Sequence, residues 1–463
     1  MYGRRKMRTR QGLSRIQIIT LSFLLAIMIG SLILMLPIMS ANGESTDFVD
    51  ALFTATTSVC ITGLVTVTTA THWSSLGHIV ILLLIQLGGL GTITLMSLAF
   101  FATGKRISLQ NRLLMADAFN LDNNNKGIVN FVIRVIKESL MIEGLGAIAY
   151  SIYFIPHFGF FTGSWYSIFH SVSAFCNAGI DLLADNSLIA YAGNWWLNIV
   201  TMLLIVCGGL GFTVWNELIK GFVNQYRYYK NGRGKRLKNT LSQHTKMVLT
   251  TTFALIFGGA ILYYLFERSN PNTLGSVKNS QAMLEALFQS VTTRTAGFVT
   301  IPQANLTIPS VMLTVFLMFI GGSPTGTAGG IKTTTLAVIL AEVRATIKGE
   351  PEAICFKRQV PRQTTRKAIA ITLISVAASV LAVLLMYFIQ PGDMTDNVFE
   401  VYSALGTVGI SRDLTPHLTT AAKYLIIVCM YLGRVGPISI LLALMRRKHH
   451  ANLKYAPGNI RVG

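Results

Sequence analysis

The fold is decided by one stretch, Phe53-Thr-Ala-Thr-Thr-Ser-Val-Cys-Ile-Thr-Gly63-Leu64, in which a helix-length run ends on a single glycine between apolar segments. A phenylalanine followed nine or ten residues later by a glycine recurs three times. The further copies are Phe169 to Gly179, Phe288 to Gly297 and Phe399 to Gly409. Because internal repetition indicates equivalent structural units, four copies predict four sides of one pore.

Composition places this repeat in a membrane. The chain has 463 residues, of which 52% are hydrophobic and only 13% charged, and its mean hydropathy is +0.53. A soluble enzyme of this size is far less apolar. The sequence therefore predicts a multi-pass membrane protein of the all-α class.

Most of the lysine and arginine residues behind the net charge of +20 lie in five basic clusters, at 4–15, 105–137, 220–246, 344–367 and after 446. Lysine and arginine are absent from 37–104 and from 138–219. The positive-inside rule then puts both termini and three loops in the cytoplasm. Nucleic-acid binding is excluded, because no basic face interleaved with aromatic residues forms outside these juxtamembrane loops.

About 20 apolar residues cross a bilayer as a helix, and eight stretches qualify. They are 16–39, 76–102, 128–155, 194–222, 246–266, 308–346, 367–389 and 420–445. We expect four units of span, pore loop and span around a central pore, with eight transmembrane helices. The units are 16–104, 126–224, 244–347 with a broken inner helix, and 362–447, between cytoplasmic ends at 1–15 and 448–463.

The repeated loop suits a cation. Rings of backbone carbonyls replace the water that an ion loses, and glycine permits the torsion angles that turn carbonyls toward an axis. A short helix ending at the same axis adds partial negative charge. The predicted ion-binding residues are Ile61, Thr62, Gly63, Asn177, Ala178, Gly179, Thr295, Ala296, Gly297, Thr407, Val408 and Gly409. We expect potassium to bind only there, and Arg294 to brace its loop from behind.

Each second span also carries a glycine cluster, at 88–91, 208–211, 321–322 and 433–436. Close packing of helices by small residues is one explanation, and pore lining is the other. The acidic residues near the loops likewise fit either solvated loop positions or an ion-attracting funnel. The sequence leaves both choices open.

The sixth stretch contains five glycines and one proline between Gly321 and Gly330, which a regular helix does not tolerate. A phosphate-binding loop is excluded because Ile331, not glycine, precedes Lys332. We expect an unwound loop that gates the pore and pairs through its carbonyls with the intramembrane Arg434. The predicted gate residues are Gly321, Gly322, Ser323, Pro324, Thr325, Gly326, Thr327, Ala328, Gly329, Gly330, Lys332 and Arg434.

Two segments are highly specific: Phe-Gln-Ser-Val-Thr-Thr-Arg-Thr-Ala-Gly-Phe at 288–298 and Gly-Gly-Ser-Pro-Thr-Gly-Thr-Ala-Gly-Gly at 321–330. With them the chain resembles the Trk/Ktr/HKT superfamily of potassium transporters over nearly its whole length. The resemblance implies a potassium preference, since glycine occupies all four filter positions. Eight spans with no additional pair before the first repeat are most similar to the bacterial Ktr-type membrane subunit.

That resemblance further implies a homodimer in the lipid of a bacterial plasma membrane, bound to a cytosolic ring of nucleotide-binding regulatory subunits. The nucleotide would be bound by this partner, so we expect no cofactor in this chain. Sodium is a possible second ion. The alternative function is an obligatorily coupled sodium/potassium symporter, because interrupted helices also form transporter sites. An enzyme is disfavoured because the histidines show no catalytic spacing and no hydrolase motif is present.

Overall fold

The structure is a computed structural model that describes residues 14–91, 128–183, 187–230, 241–436 and 439–441. Over these ranges the chain is almost entirely helical, and a two-stranded antiparallel hairpin, β1 (Ile354–Cys355) with β2 (Arg358–Gln359), is the sheet they contain. The basic ends and most of the basic loop before residue 128 lie outside the described residues, as do the predicted span segments 92–102 and 442–445. The mostly helical class predicted from composition is confirmed.

Four long helices alternate with the rest of the chain: α1 (Arg15–Leu34), α5 (Ile128–Phe158), α9 (Gln243–Glu267) and α13 (Arg362–Ile389). Within the described ranges, these are the four unbent helices long and apolar enough to cross a membrane. Leucine, isoleucine and phenylalanine side chains on them are widely exposed, which suits contact with lipid.

A shorter buried helix follows each long one: α2 (Phe48–Cys60), α6 (Phe160–Cys176), α10 (Asn279–Thr292) and α14 (Met394–Gly406). The repeated phenylalanines lie on these helices, and all four are 0% exposed. Asp47 and Asp393 cap two of them by accepting from Val49 N and Thr395 N. The repeated sequence therefore forms four equivalent helices inside the protein.

A third group of helices completes the pattern. It comprises α4 (Ser75–Leu90), which follows the one-turn helix α3 (Thr69–His72), then α7 (Trp195–Gly209) with α8 (Phe212–Lys230), α11 (Ile308–Phe319) with α12 (Thr333–Ile347), and α15 (Thr420–Val435). The chain leaves the helix at Phe319 and re-enters it at Thr333, around the segment where glycine and proline predicted a break.

Three of the predicted spans contain a helix end or a bend. The stretch 194–222 bends by 101° between α7 and α8, and in the stretches 76–102 and 420–445 the helices α4 and α15 end at Leu90 and Val435. The cause is the backbone of Gly91, Gly211 and Gly436, whose φ angles are +81°, +89° and +88°. A right-handed helix does not contain such residues.

The glycine clusters are sites of close packing, which was one of the two explanations left open. A β-carbon on Gly88, Gly208 or Gly433 would overlap the carbonyl oxygen of Val59, Phe175 or Leu405 respectively. Each of these carbonyls lies near the C-terminal end of α2, α6 or α14. The third helix of a unit therefore packs directly against the end of its buried helix.

Candidate functional site

The four repeated glycines meet at one place. A β-carbon on Gly63 would lie 2.7 Å from Ala178 O, and one on Gly297 would lie 3.0 Å from Val408 O. Likewise, a β-carbon on Gly179 would contact Ala296 O, and one on Gly409 would contact Thr62 O. Each glycine thus adjoins the carbonyl before the next repeated glycine, and the contacts close into a ring.

The backbone around this ring alternates in handedness. Ile61, Asn177, Thr295 and Thr407, each two residues before a ring glycine, have φ between +51° and +69°. The ring glycines themselves have φ between +67° and +104°, whereas the residue between each pair has no positive φ. Alternating left- and right-handed residues turn successive carbonyls to the same side, which suits ion coordination by peptide oxygens.

A hydroxyl side chain braces each quarter of the ring. Thr57 Oγ1 accepts from Gly63 N at 2.9 Å, and Ser403 Oγ accepts from Gly409 N at 3.1 Å. Ser173 Oγ donates to Ile180 O at 2.5 Å, and Thr292 Oγ1 donates to Phe298 O at 2.6 Å. All four lie four residues after a repeated phenylalanine. The prediction missed this position, although the recurring serine or threonine was a visible signal.

Further oxygen atoms lie at the site. The buried hydroxyls of Thr62, Thr295 and Thr407 have no hydrogen-bond partner among the described residues. Buried polar atoms usually have partners, and exceptions call for a functional reason such as an ion or water. No group of three or more histidine, cysteine or acidic side chains suited to a bound metal occurs within the described ranges.

The segment 321–330 lies against the ring, in contact with its supporting helices. A β-carbon on Gly329 would overlap Thr407 Oγ1, and Thr327 Oγ1 donates to Phe175 O at 3.2 Å. The segment thus reaches two of the four quarters. Since Gly329 has no side chain, its backbone can approach the ring directly.

The corner between α7 and α8 holds this segment from one side. Gly209 O accepts from Ser323 N at 2.9 Å, and Gly208 O accepts from Thr327 N at 3.1 Å. Thr325 O accepts from Phe212 N at 3.3 Å. The break in the helix frees these carbonyls for the loop, because a continuous helix would use them internally.

Three basic side chains hold the segment from other directions. Arg294 is 6% exposed and donates through Nη2 to Gly321 O at 3.2 Å. Arg434 donates to Thr327 O and to Gly88 O, which links α15, the loop and α4. Lys332 Nζ donates to Ala328 O at 2.7 Å. Three basic side chains therefore donate hydrogen bonds to peptide oxygens of the loop.

The sequence prediction also missed Glu143, a carboxylic acid inside α5. It is 5% exposed, and its Oε2 accepts from Gln86 Nε2 of α4 at 2.7 Å. Cys176, the last residue of α6, lies beside it with the sulfur 3.7 Å from Oε1. The contact joins the first and second units behind the ring, and an isolated acid in an apolar span was its signal.

The structure brings the predicted filter residues together as four three-residue segments around the ring. It also brings the predicted loop and Arg434 together, as described above.

Comparisons with known proteins agree with this geometry. The family model TrkH, described as a cation transport protein, matches residues 4–454. The potassium/sodium uptake protein NtpJ of Enterococcus hirae is 39% identical over 99% of both chains. The Ktr system potassium uptake protein B of Bacillus subtilis is 36% identical over 96% of both chains.

Among solved structures, the potassium transporter TrkH from Vibrio parahaemolyticus has a similar fold. Its TM-score is 0.72 at 18% sequence identity, and the match covers 96% of this chain and 87% of that one. The family and the relatives are ion transporters, so the prediction that the chain is not an enzyme is confirmed. The chain belongs to the TrkH family of cation transport proteins, multi-pass proteins of the plasma membrane.

Proposed function

We propose that this protein takes up potassium through a filter formed by the carbonyls around Gly63, Gly179, Gly297 and Gly409. The observation that carries the proposal is the closed ring of contacts between each glycine and a neighbouring filter carbonyl. Peptide oxygens bind a dehydrated cation without fixed charge in its path. The uptake of potassium named for NtpJ and for Ktr protein B supports the choice of ion.

The proposed architecture has four units and eight membrane crossings. Four crossings are the long helices, and the other four are helices that end or bend at glycine or at the 321–330 loop. Interrupted helices occur in membranes where protein or a water-filled path covers the freed backbone. The basic clusters then place both termini in the cytoplasm.

The loop 321–330 is the proposed gate. Its position against Thr407 and Phe175 puts it on the side of the ring nearest the ends of the third helices. Arg434 and Lys332 hold its carbonyls in this place, so opening must break charge-assisted hydrogen bonds. The gate is therefore stable when closed and needs an input to open.

The proposed input comes from a cytosolic ring of nucleotide-binding subunits that binds a homodimer of this chain. The nucleotide belongs to that partner, and no cofactor is assigned to this chain. Sodium modulates or accompanies transport in this proposal, which fits the potassium/sodium name of the relative from Enterococcus hirae.

Replacement of Gly63 by serine tests the filter. A side chain there meets Ala178 O and two neighbouring glycine backbones, so we expect the preference for potassium over sodium to be lost. Gly43→Ser is the matched control, because Gly43 also has a positive φ of +74° but nothing within 4 Å of its β-carbon position. Potassium and sodium uptake are measured in a potassium-uptake-deficient strain. Unchanged selectivity in Gly63→Ser contradicts the filter.

Obligatory sodium/potassium symport is the second candidate, favoured by the bend between α7 and α8 and by the broken helix around 321–330. Half-helix ends at membrane depth form ion sites in transporters. Proteoliposome fluxes of both ions distinguish the two functions. A fixed ratio of sodium to potassium at all gradients favours symport, and potassium flux without sodium favours the filter-and-gate mechanism.

A further inference from the structure

A cavity of about 300 Å³ opens between the N-terminal turns of α9, α12 and α13 and reaches the loop 321–330 at Pro324. We call it the α9–α13 cavity. Its lining residues are Gln243, His244, Met247, Pro324, Thr334, Thr335, Val338, Val360, Pro361, Thr364, Lys367, Ala368 and Ile371. Neither the filter nor the loop's own hydrogen bonds use this space.

The interior of the cavity is apolar. Met247, Val338, Val360 and Ala368 are each less than 7% exposed and turn aliphatic surface toward it. Ligand pockets commonly have about 300–1,000 Å³ and an apolar lining with a few polar groups. The α9–α13 cavity meets that description, and its apolar wall suits a hydrocarbon chain rather than a nucleotide.

Its rim is basic. Five lysine and arginine side chains and no acidic ones lie between Lys357 and Lys367, in the hairpin and the first turns of α13. Gln243 Nε2 donates to Cys355 O at 3.1 Å and to Arg358 O at 3.2 Å, which fixes the hairpin beside α9. Lys367 lines the cavity and makes no hydrogen bond or ion pair with the described residues. A cationic cluster next to a membrane span is typical of a site for anionic lipid headgroups.

An acid close to the cavity residue His244 is already engaged. Glu217 of α8 lies near His244, and its carboxylate accepts from Ser242 Oγ at 2.7 Å and from Thr245 Oγ1. These bonds hold the start of α9 in place. The negative charge of Glu217 is therefore turned to the helix terminus, and the positive charge of Lys367 stays available.

The sides of the cavity lead to surfaces that suit lipid. Leu340 on α12 is 57% exposed, and Ile369 and Leu373 on α13 are 42% and 64% exposed. Aliphatic side chains this exposed on apolar helices fit hydrocarbon better than water. A chain entering from the bilayer would pass these residues before it reaches Pro324.

We propose that the α9–α13 cavity binds an anionic phospholipid, whose phosphate meets Lys367 and the basic rim and whose acyl chain contacts Pro324. The proposal rests on the assignment of 321–330 as the gate. A ligand stabilises the conformation to which it binds more tightly. The cavity is formed with the loop held at the filter, so occupancy stabilises the closed gate.

Lipid retention is the first test. The full-length protein is reconstituted in phosphatidylglycerol and phosphatidylcholine, and lipid that remains bound after detergent exchange is measured by native mass spectrometry. We expect selective retention of phosphatidylglycerol, weakened about fivefold by Lys367→Gln, since one cation near an anionic headgroup contributes about that factor. Lys348→Gln is the control, an exposed lysine outside the lining.

A blocking variant provides the second test. Thr364→Phe places a ring at the exposed rim and should exclude the lipid, whereas Gln363→Phe, which lies next to it outside the lining, should not.

In phosphatidylglycerol vesicles, we expect Lys367→Gln to conduct more potassium than the unchanged protein and Lys348→Gln to match it. Because all variants share one vesicle composition, the attraction of potassium to a charged surface cancels.

Several results would overturn the proposal. One is equal retention of phosphatidylglycerol in Lys367→Gln and Lys348→Gln. Another is displacement by soluble glycerol phosphate at the lipid's own concentration, which would indicate a simple anion site. Cross-linking of Thr364→Cys to a second copy would assign the cavity to the dimer contact. Selective retention in a protein that conducts no potassium would instead leave the lipid site standing and contradict the proposed function.

Discussion

At the scale of single residues, the proposed filter depends on side-chain atoms that lie beside it. Thr57, Ser173, Thr292 and Ser403 each bond to the backbone at or just after a ring glycine. Two of them accept from the glycine N–H and two donate to the following carbonyl. The equivalent position therefore acts as an acceptor in two units and as a donor in the other two. A hydroxyl group can do both, and a methyl group can do neither.

Thr57→Val removes one of these braces at nearly constant volume. Gly63 N–H then loses its partner in a buried place, which costs about 1–3 kcal/mol. We expect a lower thermal unfolding midpoint and a lower preference for potassium over sodium. Thr56→Val is the matched control, since that hydroxyl bonds only to Leu52 O of its own helix. Equal selectivity in the two variants would show that the brace does not shape the filter.

Asp181 makes a prediction for pH, because it lies two residues after Gly179 in the loop beyond the filter. Burial raises the pKa of this carboxyl from its ordinary 3.8 to about 6. The folded protein thus binds the proton more tightly than the unfolded chain. The resulting stability is present below pH 3.8 and is lost as the pH rises through about 6.

The charge of Asp181 should also affect uptake. Above pH 6 the ionised carboxylate attracts potassium, so we expect the KM for potassium to rise about twofold as the pH falls from 7 to 5. In Asp181→Asn the KM should be the same at both pH values and equal to the higher value that the unchanged protein reaches at pH 5. The measurement is rubidium uptake at a fixed potassium gradient. A variant that keeps the full pH response would assign it to another group.

At the scale of elements, three of the third helices, α4, α7 and α15, end one or two residues before a glycine with a positive φ. Gly91, Gly211 and Gly436 have nearly the same positive φ. Their breaks have a use, since the corner at Gly211 frees Gly208 O and Gly209 O for the loop. The elements that end early are those that contact the proposed gate.

Gly211→Ala tests the corner. Its β-carbon would overlap Pro324 O in a conformation that costs about 1–3 kcal/mol, so we expect lower stability and a displaced loop. Gly258→Ala is the control, because Gly258 lies inside α9 with open space around it and alanine favours helix by about 1 kcal/mol. Thermal unfolding and potassium flux are measured for both. A stable Gly211→Ala with unchanged flux would contradict the role of the corner.

The loop and its arginine form the next prediction. Arg434→Ala removes two hydrogen bonds, and deletion of 323–328 removes the obstacle itself. We expect higher potassium flux in both and a weaker response to the cytosolic partner. Loss of one charge-assisted bond, about 1.5–3 kcal/mol, corresponds to a shift of roughly 10- to 150-fold toward the open gate. Arg434→Lys should lie between. Flux that falls or stays level in folded protein would exclude the gating role.

At the scale of the whole molecule, the sequence predicted the parts that repeat and missed those that depend on one particular neighbour. Four glycines, each nine or ten residues after a phenylalanine, predicted the ring, because each position needs a positive φ in every unit. The 101° bend at Gly211 was not predictable from hydropathy, since the stretch 194–222 is apolar throughout its first half. Nor was the partner of Glu143, which lies 57 residues away in another unit.

The units are joined at four seams, each with a polar contact. Gln86 bonds to Glu143 at 2.7 Å between the first and second units, and Leu188 N bonds to Val299 O at 3.0 Å between the second and third. Arg412 donates to Gln303 O at 3.0 Å at the third seam. Lys423 and Asp50 form an ion pair of 2.6 Å that joins the last unit to the first.

The last seam is the one that closes the ring, so its ion pair should matter for the whole protein. Lys423 and Asp50 are 17% and 20% exposed, and a pair at this level of exposure contributes about 1 kcal/mol. We expect Asp50→Asn and Lys423→Gln each to lower the thermal unfolding midpoint, and the double variant to lower it by less than their sum. Glu44→Gln, at an exposed acid four residues before α2, is the control. Because closure brings Gly409 against Thr62 O, both single variants should also weaken the preference for potassium. Strictly additive losses of stability with unchanged selectivity would mean that the ring holds together without this contact.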